Sequence, residues 1–125
     1  MKDFRIAVGQ WPVAGDKGLN LDRAESFLRR AADGGASLCL LPEMFQTPYE
    51  LARMRSSAEG PEGPTLERVR GLARELGLHV VAGSFCEESQ GRFYNSSYVL
   101  GPGGAILGVH RKIHLRVNVS YPGRC

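Results

Sequence analysis

The side chains best suited to chemistry are one glutamate, one lysine and three cysteines. Glu43 stands in Leu40-Leu41-Pro42-Glu43-Met44-Phe45, just past a short apolar run. Ligands of α/β sheets gather at the carboxyl ends of strands. A carboxylate there, flanked by Met44 and Phe45, is expected to be partly desolvated. Desolvation raises a carboxyl pKa and suits it to general-base work. The competing reading is a loop glutamate in water, or one capping a nearby amide. Lys112 stands in His110-Arg111-Lys112-Ile113-His114-Leu115. An ammonium held beside a reacting carbonyl or nitrile stabilises developing negative charge. The competing reading is a solvated lysine at a strand end. Cys39, Cys86 and Cys125 are odd in number and widely spaced, which fits neither a disulfide framework nor a C-x2-C zinc site. Cys39 reads as a small core residue on a strand, and Cys86 as packing just past a strand end. His110 and His114 bracket Lys112, but no Asp or Glu adjoins them to complete a ligand set, so no metal is expected.

These groups need a scaffold, and the apolar pattern supplies one. Phe4 to Gln10 reads as a strand. Leu21, Ala24, Leu28 and Ala31 mark a helix over Leu21 to Ala32, with Asn20 as cap and Gly34-Gly35 as stop. Ser37 to Leu41 is apolar throughout, as in a central strand covered on both faces. Pro42 to Pro64 reads mostly as loop, with a helical stretch within Glu50 to Ser56. A second helix fits Leu66 to Leu76, capped by Thr65 and stopped by Gly77. Leu78 to Gly83 is another buried strand. Phe93 to Leu100 and Ala105 to His110 flank Gly101-Pro102-Gly103-Gly104 as a β-hairpin. That glycine-rich turn lacks the Lys-Ser/Thr of a phosphate-binding loop. Helices alternating with strands, then an antiparallel pair, predict α/β layers on a mixed sheet.

The chain has 125 residues, enough for one domain. Hydrophobic residues make up 42% and charged residues 23%, an ordinary globular balance. No apolar run reaches the ~20 residues of a membrane span, and the N-terminus lacks the apolar core of a secretion signal. A net charge of +3, with basic residues scattered among acids, does not point to nucleic acid. A reducing, cytoplasmic setting is expected.

Taken together, the segments resemble the nitrilase superfamily of carbon–nitrogen hydrolases. The resemblance runs through Ile6-Ala7-Val8-Gly9-Gln10, Leu41-Pro42-Glu43-Met44-Phe45 and Val81-Ala82-Gly83-Ser84. It continues in Tyr94-Asn95-Ser96-Ser97, the glycine-rich turn and His110-Arg111-Lys112-Ile113-His114-Leu115. It implies part of an α-β-β-α sandwich, with residues 1–125 as the N-terminal part of the domain. One sheet and its covering helices would leave an inner apolar face without its partner sheet. It also implies a Glu–Lys–Cys set in which Glu43 is the general base and Lys112 the oxyanion-stabilising lysine. Phe45 and Tyr49 fall where the family lines its substrate pocket, and Tyr49 can equally pack on the scaffold. The implied substrate is a small amide, carbamoyl compound or nitrile, with no metal or organic cofactor. Family members commonly form dimers or larger homo-oligomers. The family's nucleophilic cysteine lies a few dozen residues beyond the lysine, so this chain is expected to stop short of it and to be inactive alone. Cys125, after Tyr121-Pro122-Gly123-Arg124, is not expected to serve. Leu115-Arg116-Val117-Asn118-Val119 departs from the family pattern. The alternatives are a non-catalytic half domain that docks on a full-length relative, and a module that binds a small amide without turnover.

Overall fold

The structure is a computed structural model that describes residues 3–114. Five strands form one sheet in the order β1-β2-β3-β4-β5. They are β1 (Ile6–Val8), β2 (Leu38–Leu40), β3 (His79–Ser89), β4 (Arg92–Leu100) and β5 (Ile106–Arg111). The first three run parallel and the last two pair antiparallel, giving the expected mixed sheet. The parallel connections carry helices α1 (Lys17–Asp33), α2 (Leu51–Ser57) and α3 (Pro64–Leu76). Leu115–Val119 and Cys125 lie outside the described residues. Among the described residues, no helix is long and apolar enough to cross a membrane.

The core lies between the sheet and α1 and α3. Leu21, Ala24 and Leu28 of α1 and Leu66, Val69, Leu72 and Ala73 of α3 meet Cys39, Val80, Ala82, Tyr98 and Leu100 of the sheet. The opposite face has a different fate. Register places Val8 beside Leu40, Leu40 beside Val81, and Val81 beside Val99. Alternation along each strand turns this row away from the helices. Ile6 and Val8 are 55% and 67% exposed. Within the described chain β2 is therefore covered on one face, not two.

Several boundaries moved for local reasons. Helix α1 begins earlier than expected because Asp16 caps it, accepting from the Leu19 amide at 2.8 Å. Asn20 is no cap. It is fully buried, donates to the Ala14 and Gln46 carbonyls at 2.8 and 2.9 Å, and so ties two loops together. Thr65 is not a cap either: α3 starts at Pro64 after Gly63, which suits proline's missing N–H. The Thr65 hydroxyl is buried against Glu59 and Gln46. Strand β3 does not stop at Gly83 but runs on to Ser89, so Cys86 lies within it. Gln90 and Gly91, both at positive φ, then close a β3–β4 hairpin that apolar patterning alone did not reveal.

Candidate active site

The path from β2 to Glu43 is fixed by the backbone of β3. The Leu41 amide donates to Val81 O at 3.0 Å, continuing the parallel ladder one step past β2. The chain then turns over a bulge in β3 between Ala82 and Phe85. Ser84, within the bulge, accepts twice. Its hydroxyl oxygen takes the Met44 amide at 3.1 Å and its carbonyl takes the Phe45 amide at 3.2 Å. Gly83 makes the approach feasible. Its φ is +24°, and a Cβ there would sit 1.9 Å from the Pro42 carbonyl oxygen. Met44 itself adopts φ 51°, a costly conformation outside glycine that tends to mark functional turns.

Around Glu43 the flanking side chains act as anchors. Met44 and Phe45 are both fully buried. Met44 packs with Met54 and Cys86, and Phe45 enters the main core. Phe45 is thus placed as scaffold beneath the loop rather than as an exposed pocket wall: the turn that lifts Glu43 out drives its neighbour in. Glu43 keeps 52% of its side chain exposed.

Three donors from three segments converge on one oxygen of Glu43. The Tyr49 hydroxyl, from the loop before α2, donates to Oε1. Asn95 Nδ2, from β4, donates at 3.0 Å. Lys112 Nζ, just past β5, donates at 3.1 Å and forms an ion pair. Among the described residues, no hydrogen bond reaches Oε2. Asn95 also fixes the lysine, because its carbonyl accepts the Lys112 amide at 2.9 Å. One residue of β4 therefore holds both charged groups.

The electrostatics correct one expectation. Glu43 titrates below the usual carboxylate range, not above it. The Tyr49 hydrogen bond is the largest cause, and Lys112 and Asn95 add to it, while partial burial opposes. Half-exposure leaves desolvation too weak to win. At neutral pH the group is a carboxylate, ion-paired with Lys112 through Oε1.

Of the residues expected at the site, Glu43, Lys112 and Tyr49 come together and Phe45 does not. Cys39 is sealed in the core, where burial pushes its thiol up. Cys86 is buried against Met44 and Met54. Asn95, Ser84 and Gly83 were missed as site residues. The available signal was the polar run Asn95-Ser96-Ser97 inside an expected strand, of which Asn95 and Ser96 are buried.

The sequence profile of the family described as Carbon-nitrogen hydrolase matches residues 5–124. Omega-amidase NIT2 of Xenopus tropicalis is 39% identical over 124 residues, which are 99% of this chain and 45% of that protein. Omega-amidase NIT2 of Homo sapiens is 37% identical, with the same coverage of each. Among solved structures, Saccharomyces cerevisiae Nit3, a member of branch 10 of the nitrilase superfamily, superposes with a TM-score of 0.81 at 30% identity. That match covers 90% of this chain and 45% of Nit3. The chain thus spans about half the length of these relatives.

Proposed function

The chain belongs to the carbon–nitrogen hydrolase family, and from that premise we propose that it supplies the base and the cation of a Glu–Lys–Cys site hydrolysing a small amide. The observation that carries this reading is the ion pair of Glu43 Oε1 and Lys112 Nζ at 3.1 Å, joined across 69 residues of sequence. In this reading Glu43 Oε2 takes the proton of a cysteine thiol. The thiolate attacks the amide carbon, and the resulting oxyanion receives hydrogen bonds from the Lys112 ammonium. The C–N bond breaks, the leaving amine takes the proton back from Glu43, and a thioester remains. Water then gives a proton to Glu43 and attacks that thioester, releasing the acid and the thiolate. No step calls for a metal or organic cofactor.

The sulfur would come from a segment that the described residues do not include, since Cys39 and Cys86 are both buried. The share of its relatives that the chain spans supports this. So does the apolar sheet face carrying Ile6 and Val8, which suits a second sheet of an α-β-β-α sandwich. Residues 1–125 are then the N-terminal part of the domain. The omega-amidase relatives favour a terminal carboxamide over a nitrile as substrate. Three cysteines spaced far apart in the sequence suit a reducing, cytoplasmic setting.

Glu43→Gln in the protein that contains this chain tests the reading. Ammonia release from short terminal amides should fall by at least about a hundredfold, the usual scale of general acid–base catalysis. Unchanged rates with a correctly folded variant would remove Glu43 from the chemistry.

A further inference from the structure

A second buried carboxylate lies outside the Glu43 cluster. Glu87 of β3 is only 2% exposed. It accepts from the Ser96 hydroxyl at 3.2 Å and from the Tyr98 hydroxyl, both on β4. From β5 it meets Arg111, with Nε at 2.7 Å and Nη2 at 2.6 Å, both on Oε1. The Arg111 guanidinium also lies 3.8 Å from the ring centroid of Tyr94, the β4 residue directly opposite Glu87. The pair therefore reaches across β4, from an interior strand to the strand at the sheet's edge.

Such a group costs stability unless its partners are well placed, and an apolar replacement often serves a core better. Its position suggests what it is for. Arg111 is the last residue of β5 and the direct neighbour of Lys112. Among the described residues most of β5 is exposed, including Leu107 at 60% and Val109 at 52%, so their apolar packing does little to hold this strand. A lysine has a long flexible stem, and among the described residues Lys112 has one backbone anchor, its amide on Asn95 O. We propose that Glu87, through Arg111, is a positioning residue that fixes the end of β5 so that the Lys112 ammonium stays on Glu43. The role rests on the reading of Glu43 and Lys112 as a working pair. Glu87 touches neither of them.

The test reads the Glu43 carboxyl directly and needs no turnover, so failure of the hydrolase reading and failure of this one are separable. With 13C-labelled glutamate, the Glu43 resonance is assigned by its loss in Glu43→Gln and titrated in the protein that contains this chain. Lys112→Met sets the scale: removing a half-exposed ion-pair partner should raise the midpoint by about 0.2–0.7 pH unit. Glu87→Gln should produce at least half of that upward shift. The sign is diagnostic, because deleting a negative charge without moving Lys112 would lower the midpoint. In the Lys112→Met background, Glu87→Gln should give no upward shift. If Glu87→Gln does not fold, Arg111→Lys carries the same test, since it keeps the charge but loses the two-pronged contact. No shift, a downward shift, or an upward shift that persists without Lys112 would overturn the proposal.

Discussion

Replacing Gly83 by alanine should dismantle the turn that presents Glu43. The added Cβ would lie 1.9 Å from Pro42 O and 2.8 Å from both Leu41 O and Pro42 C. All three are backbone atoms, so no side chain can swing aside. Bringing the closest contact to a tolerable ~3 Å means moving the Pro42 carbonyl by more than an ångström, and overpacking of this kind costs about 1–3 kcal/mol. The backbone at φ +24° adds roughly 1–2 kcal/mol of strain for a residue with a Cβ. The expected loss is about 2–5 kcal/mol, a large part of the ~5–15 kcal/mol that holds a typical domain. Gly71→Ala is the matched control: it sits on the exposed side of α3 with nothing within 4 Å of the new atom. There alanine should stabilise by about 0.5–1 kcal/mol. Urea unfolding of the two variants, followed by circular dichroism, measures both. A loss below about 0.5 kcal/mol in Gly83→Ala would refute the view that the Pro42 carbonyl and the β3 bulge are locked together.

Tyr49→Phe removes the largest contributor to the lowered Glu43 titration, so the carboxyl midpoint should rise toward 4.5. Because the folded pKa is depressed, Glu43 adds stability above its unfolded value and loses it as pH falls through the folded one. The urea midpoints of wild type and Tyr49→Phe should therefore differ most near pH 7 and converge as the pH falls below the depressed folded pKa of Glu43. A gap that does not narrow would mean that Tyr49 acts through packing alone. Asn95→Leu should likewise raise the Glu43 midpoint, read by the same carbon NMR titration, and an unmoved midpoint would show that its amide is not felt at the carboxylate. Arg68 of α3 joins α1 through Glu25 at 3.0 Å and Asp22 at 2.7 Å. Arg68→Met should cost about 0.5–1 kcal/mol at low salt and less at 1 M salt. Equal losses at both salt levels would point to lost stem packing instead of charge.

The helices and buried strands were legible because their apolar residues repeat at the right period. Leu66, Val69 and Ala73 mark the buried side of α3, and Leu38-Cys39-Leu40 marks a strand. Polar residues misled where they had tertiary work. Asn20 and Thr65 have the chemistry of caps, but buried loop carbonyls and Glu59 compete for them and win. The full length of β3 was hidden because Gly83-Ser84 interrupts the apolar pattern where the strand bulges. The Glu43–Lys112 pair was legible only through family resemblance, since nothing local in either segment states that they meet. The direction of the Glu43 titration was misjudged because Met44 and Phe45, which suggested an apolar setting, turn inward and leave the carboxylate half in water.

Asn95 uses its amide on Glu43 and its carbonyl on the Lys112 backbone, and this makes the site intolerant of partial error. A one-residue slip of β5 along β4 would send alternate side chains to the other face of the sheet. Lys112 would leave the Asn95 carbonyl and the carboxylate in the same event. Insertions or deletions in the Gly101–Gly104 turn are therefore expected to be all-or-nothing: a loop that restores the pairing restores base and cation together, and one that does not forfeits both.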